Sequence, residues 1–121
     1  MLHRRRRDRE LAAAATWPVV EAHLLKPVIV AKDKLAEGTA AQDSQVEIPY
    51  YFTLAGEGAA SGYFGGHLRT VALSYSEGSR LLPRIVEGTM VRVRYDPKDP
   101  DRNHALDKDN EGVLPVGVWS S

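Results

Sequence analysis

Between Val46 and Leu54 the chain alternates without a break. Val46, Ile48, Tyr50, Phe52 and Leu54 fall on one side, and Glu47, Pro49, Tyr51 and Thr53 on the other. A period of two matches the pleat of a strand and not the 3.6-residue turn of a helix. A strand with one apolar face must bury that face under a second layer, so this stretch commits the chain to a sheet with a one-sided core. Pro49 has no N–H to give to a ladder, which places it on an edge strand or beside a bulge. A second alternating run supports the same architecture: Thr89, Val91, Val93 and Tyr95 against Met90, Arg92 and Arg94. Its arginines are expected on the exposed face.

The remaining segments fit around these two strands. Val19 to Val30 reads as one long strand bent or bulged near Pro27. Ala31 to Gln45 is polar and aperiodic, a long loop. Gly56-Glu57-Gly58 is expected to turn the chain into a return strand in which Ala60, Gly62, Phe64, Gly66 and Leu68 alternate. The glycines of that strand imply coiling or a close approach of backbones. Ser74 and Glu77 have the spacing of a capping box, and Leu81, Leu82 and Ile85 then share a face of a helix that Pro83 keeps short. Asp96-Pro97-Lys98-Asp99-Pro100 reads as a double turn leading to a last short strand, Asn103 to Leu106. Upstream, Asp8 is placed to cap a short alanine-rich helix over Arg9 to Thr16, ended by Pro18. The sum is a mainly β protein: a small, five-stranded coiled sheet or partly open barrel. A short helix lies between strands three and four, and another short helix lies at the N-terminus. In element order alone this resembles oligonucleotide/oligosaccharide-binding folds. Residues 1–16 are read as a basic arm and helix, 17–107 as the β domain and 108–121 as a C-terminal tail.

Composition narrows function by exclusion. With 121 residues there is room for one domain. Sixteen basic side chains balance sixteen acidic ones, so no whole-chain field draws the protein to a polyanion. No cysteine is present, which removes thiolate metal sites, disulfides and a cysteine nucleophile. No apolar run has the length of a membrane span, and Leu11 to Ala15 is too short for the core of a secretory signal. Charge is nevertheless uneven. Arg4 to Arg7 form a basic arm suited to weak contact with a membrane surface, while Asp96 to Glu111 is acidic.

Reactive motifs are missing from the pattern. Asp99, Asp101, Asn103 and Asp107 occupy positions 1, 3, 5 and 9 of a calcium-loop frame, but His104 stands where glycine is needed and Asn110 where a glutamate belongs. His3, His23, His67 and His104 are scattered, no Gly-x-Ser-x-Gly elbow occurs, and Gly56-Glu57-Gly58 lacks the spacing of a dinucleotide loop. No catalytic residue, metal or cofactor is therefore assigned. A binding role has more to draw on. Tyr51 and Tyr63 are suited to stacking on bases, with Arg69, Arg92 and Arg94 near phosphates, the recipe of a single-strand binder. The balanced charge and the acidic 96–111 segment oppose that reading.

Gly88, Val91, Val93, Tyr95, Asp96, Pro97 and Pro100 together read Gly-x-x-Val-x-Val-x-Tyr-Asp-Pro-x-x-Pro. With Trp17-Pro18 ahead of the first strand, the chain resembles a bacterial family of uncharacterised small β domains often found beside transmembrane helices. The likeness spans roughly residues 17–106. It departs at Asp99, where the family more often has asparagine, and in the lack of a flanking membrane helix. It implies envelope association and brings no activity. The motif itself reads as structural: Tyr95 turns its ring to the buried face, Asp96 bonds turn N–H groups, and the prolines fix φ. The expectation is a non-catalytic interaction or accessory domain with a protein partner. An oligonucleotide/oligosaccharide-binding role is the alternative.

Overall fold

The computed structural model describes residues 2–31, 44–55, 61–114 and 119–120. The protein is mainly β: antiparallel strands form a curled half-barrel flanked by two short helices. In chain order these are α1 (Leu2–Ala14), β1 (Val19–Leu24), β2 (Val28–Ala31), β3 (Ser44–Ala55), β4 (Ser61–Arg69), α2 (Tyr75–Leu81), β5 (Met90–Asp96), β6 (Asp99–His104) and β7 (Trp119–Ser120). Single 3₁₀ turns follow α2 at Leu82–Arg84 and β6 at Asp107–Asp109. The sheet runs β6-β5-β1-β3-β4-β7, and β2 also pairs with β3.

β3 is the spine. Its alternation is realised in full: Val46, Ile48, Tyr50 and Phe52 are buried and their neighbours lie on the outer face. The inner side chains meet Ala22 and Leu24 of β1, Leu68 of β4, Val91 and Val93 of β5, and Leu81 and Ile85 from the α2 segment. Phe52 packs between Phe64 and Tyr95, at ring-centroid distances of 5.7 and 5.9 Å. Each such fully buried side chain removes enough apolar surface to contribute about 1.5–3 kcal/mol.

The first long strand is divided. Leu24 faces Tyr50 while Val28 faces Glu47, so four residue steps on one side match three on the other. That is a bulge, and Pro27 is buried within it. It also explains Pro49, which sits in an interior strand. The Pro49 carbonyl accepts from Leu25 N–H at 2.8 Å, so its missing N–H lies on the same side, at the break in the ladder. The expected five strands become seven because this strand is counted in two pieces and Trp119–Ser120 pairs with the end of β4.

Several boundaries differ from the sequence reading. β3 begins at Ser44, two residues inside the expected loop; residues 32–43 lie outside the described ones. The turn at Gly56-Glu57-Gly58 also lies outside them, but its flanks Ala55 and Ser61 pair as a hairpin requires. α1 starts at Leu2, so Asp8 lies within the helix and does not cap it. β6 begins directly after the turn at Pro97-Lys98, earlier than Asn103, because Asp96 pairs with Asp99. The would-be calcium residues 99, 101 and 103 are thus in an extended strand. The capping box is present in both directions, with Ser74 Oγ and Glu77 N 3.0 Å apart and Glu77 Oε1 and Ser74 N also 3.0 Å apart.

The curl brings β6 towards β4, and one amide spans the gap. Asn103, buried, accepts from the Tyr50 hydroxyl and donates to the Gly65 carbonyl at 3.1 Å and to the Pro100 carbonyl at 2.9 Å. Gly66 makes the approach possible. A Cβ there would lie 2.6 Å from Tyr50 Cζ and 2.8 Å from Asn103 Oδ1, inside van der Waals contact. No helix among the described residues is long and apolar enough to cross a membrane.

Candidate functional site: an aromatic lane on the outer face

Once β3 has turned its apolar residues inward, Tyr51 must face out. Strand register then decides its neighbours. Tyr51 lies opposite His23 on β1 and Gly65 on β4. His23 lies opposite Met90 on β5. Gly65 offers no side chain, so the flank of Tyr51 towards β4 is open, and Tyr63 fills it from the diagonal position. The imidazole of His23 and the ring of Tyr51 are 5.3 Å apart between centroids and inclined by 26°. Tyr51 and Tyr63 are 6.0 Å apart and inclined by 32°. The result is a lane, Met90–His23–Tyr51–Tyr63, with one side chain from each of four adjacent strands. Tyr63 is 78% exposed and Met90 42%.

At the Met90 end the lane meets a depression of about 330 Å³. Glu21, Met90 and Arg92 line it from the sheet, and Asp109, Asn110 and Glu111 from the segment after β6. That segment is held to β5 by Asn110, whose side chain imitates a peptide group. Its Oδ1 accepts from Arg92 N–H at 2.7 Å and its Nδ2 donates to the Arg92 carbonyl at 2.9 Å. A β6 residue would fill this place if the strand continued.

The five residues expected to form a nucleic-acid site divide into two sets. Tyr51 and Tyr63 are adjacent, as that reading required. The arginines are placed differently. Arg69 pairs with Glu47 at 3.2 Å. Arg92 is exposed and stands opposite Glu21. Arg94 is not exposed with it: its side chain is 19% accessible, and its Nε and Nη2 bind the two oxygens of Asp109 at 2.8 and 3.0 Å. Its Nη1 also donates to the carbonyls of Ala15 and Trp17 at 2.9 and 3.1 Å, just past the end of α1. That guanidinium is structural. Asp109 in turn is held below the usual carboxylate range, first by its hydrogen bonds to Arg94.

The motif residues have structural surroundings. Gly88 has φ +91°, a conformation that side chains disfavour, and its N–H bonds Leu24 O at 2.8 Å. Asp96 accepts from Lys98 N–H at 2.9 Å in the turn and from Arg102 at 3.1 Å. Tyr95 is half-buried against Phe52, Pro97 is exposed and Pro100 buried. Trp17 stacks on His104 at 6.2 Å with the Arg102 guanidinium 5.4 Å from its ring centre. Glu10 completes this cluster, 3.0 Å from Arg102 Nη2 and 3.1 Å from His104 Nε2. Its carboxyl is lowered from the ordinary value, chiefly by the Arg102 hydrogen bond.

His23 was missing from the sequence-derived set. Nothing local marks it, because its partners arrive from β3 and β5 through register. Its buried neighbours Ala22 and Leu24 turn it to the outer face. No family model, curated protein or solved structure matches the chain, so the functional reading rests on these residues themselves.

Proposed function

We propose that the protein is a non-catalytic interaction module that binds its partner through the outer-face lane. One observation carries the reading: a tyrosine 78% exposed, tilted against a second ring that stacks on a third, on the face opposite the core. Contact surfaces are rich in tyrosine and methionine. The rings are carried on strands, which hold them in place before a partner arrives and limit the ordering cost of binding. A protein is the expected partner, and the envelope setting implied by the family likeness belongs to the same proposal.

Single-strand nucleic acid is the second reading, favoured by the same tyrosine pair. Opposing it, Arg94 is spent on Asp109 and Arg69 on Glu47. A panel of peptides, oligosaccharides and oligonucleotides tests both, with wild type beside Tyr51→Ala and Tyr63→Ala. Binding of any class that both variants lose supports an outer-face module. Binding that neither variant alters overturns it. Oligonucleotide affinity that falls steeply with salt would move the assignment to the second reading.

A further inference from the structure

We infer that the open edge of β2 takes up an extended, uncharged peptide segment of a partner protein as an added antiparallel strand, with one large apolar side chain of that segment seated in the cavity between β2 and α2. This site goes beyond the outer-face lane and shares no residue with it. The direction of the backbone, the cavity beside it, and the size and charge of the slot lead there.

Successive residues of β3 point their peptide groups to opposite sides. Val46 turns both of its groups towards β4: its N–H donates to Thr70 Oγ1 at 3.0 Å and its carbonyl accepts from Thr70 N–H at 3.1 Å. Glu47 and Gln45 therefore turn theirs towards β2, where they face Val28 and Val30. Ile29, opposite Val46, must point its N–H and C=O the other way, out from the edge. Leu24 does the same on β1, but there the groups are taken: its carbonyl accepts from Gly88 N–H at 2.8 Å and its N–H donates to the Thr89 carbonyl at 2.9 Å. At Ile29 no described residue takes them, because the ladder between β1 and β5 does not continue along β2.

Beside this edge lies a cavity of about 430 Å³. Ile29 walls it from the sheet, Leu82, Pro83 and Ile85 wall it from the segment after α2, and Ser79 lies on the helix side. Ile29 turns its side chain to the inner face, where a Cβ on Gly78 of α2 would lie 3.6 Å from Ile29 Cδ1. In an antiparallel pair the residue opposite Ile29 sets its side chain on that same face, and so into the cavity. A small apolar molecule would fill the space and leave the Ile29 peptide groups to water. An extended backbone satisfies both groups while its side chain fills the cavity. Strand addition of this kind draws affinity from main-chain bonds and selectivity from the pocket.

Size and charge choose the occupant. β2 is four residues long, about 13 Å of edge. A ladder that short buries far less than the area that holds two folded copies together. The α2 segment also walls the slot opposite β2, so a second copy would bring its own wall into the same space, whereas a single chain fits. The charged residues lining the cavity are Lys26 and Glu87, one of each sign, so the site complements a segment without net charge.

The test uses the whole chain and begins with amide hydrogen exchange. In the free protein the Ile29 amide should exchange at least about tenfold faster than those of Val28 and Val30, which bond β3. Equal protection of all three means that the edge is already covered and overturns the proposal. The probe is a labelled, end-capped heptapeptide with phenylalanine between two valines at its centre and threonines outside. In fluorescence anisotropy it should bind, and it should slow Ile29 exchange to the level of its neighbours. Methylating the phenylalanine amide removes the donor to the Ile29 carbonyl and should weaken binding at least about tenfold. Methylating the next valine, whose N–H points away from β2, should weaken it far less. Alanine in place of the phenylalanine should cost about tenfold as well. Ser79→Phe, at an exposed position on α2, fills the cavity and should abolish binding with urea unfolding unchanged, whereas Tyr63→Ala should leave binding as it was. The methylated peptides are read on the wild type and do not depend on how the variant folds. Failure of the probe to bind, or binding that Ser79→Phe leaves intact, overturns the site. Equal losses for the two methylated peptides overturn the strand pairing and leave an apolar pocket for a small molecule. Binding lost in Tyr63→Ala but kept in Ser79→Phe belongs to the lane, and sinks this proposal while supporting that reading.

Discussion

The flank formed by α1, β5 and β6 and the outer face of β1, β3 and β4 treat their polar residues in opposite ways. On the flank, charged groups are tied to partners far away in sequence. Arg94 closes on Asp109 and on the carbonyls past α1; Arg102 reaches Glu10 and Asp96; His104 sits between Trp17 and Glu10. On the outer face the notable groups are rings, and they pack against one another with the last largely in water. Of the arginines that sequence reading offers for phosphate contact, Arg94 thus serves to dock a helix, while the tyrosines offered beside it stay on the outer face. An exposed arginine pattern says little about function until its partners are known. Paired rings on an outer face say more.

The sharpest way to break the comparison is to truncate an inner and an outer aromatic in turn. Phe52→Ala empties the centre of the core and is expected to cost about 3–5 kcal/mol in urea unfolding. Tyr51, its neighbour in sequence, faces out, and Tyr51→Ala should cost far less. Similar losses for the two would mean that the outer lane is a second core. Next in size is Gly66→Ala. The added methyl meets Tyr50 and Asn103, where β4 and β6 approach, and overpacking of this kind costs about 1–3 kcal/mol. A neutral result would show that the curl is loose and that the amide bridge of Asn103 does not set it.

The flank should dominate the acid response. Asp109 and Glu10 both have carboxyls lowered in the folded state, mainly by Arg94 and Arg102. A depressed carboxyl contributes its stability fully above its unfolded value, about 4. That contribution fades as pH falls through the lowered folded value. Tm should therefore drop below about pH 4 in the wild type. Asp109→Asn should lower Tm at neutral pH and flatten this acid limb. A wild-type limb preserved in Asp109→Asn would remove the Arg94 clamp from the account. A smaller loss, about 0.5–1.5 kcal/mol, is expected for Asn110→Ala, which frees the Arg92 backbone pair to water.

What was legible in the sequence was what is local. The alternation of Val46 to Leu54 assigned inner and outer faces because a strand's period needs no distant information. Proline near residue 27 announced a bulge, and Ser74 with Glu77 a helix start, since both act within one turn of chain. Gly66 was readable as a close approach, though not against which atoms. The illegible part is long-range. Arg94 and Asp109 are 15 residues apart, and Arg102 and Glu10 are 92 apart. No pattern in a single chain couples such pairs. His23 belongs to the lane only because the register sets it opposite Tyr51. A slip of one residue would turn it to the other face.

Tyr63→Ala is the smallest perturbation of the fold and the most informative about the lane. The residue is 78% exposed, so its removal should cost far less than the loss of a core ring. Its ring contact with Tyr51 is worth at most about 1.5 kcal/mol, and less where water covers one side. If urea unfolding shows a loss well above that, Tyr63 is there to brace Tyr51 and His23, and the lane is a structural rib. If stability holds while affinity at the lane falls, the ring is kept for a partner. The flank offers the control. Glu10→Ala removes a contact to both Arg102 and His104, so it should lower Tm and leave affinity at the lane untouched. A protein in which both substitutions move both readouts would have one coupled surface, and the division between a structural flank and a presenting face would not hold.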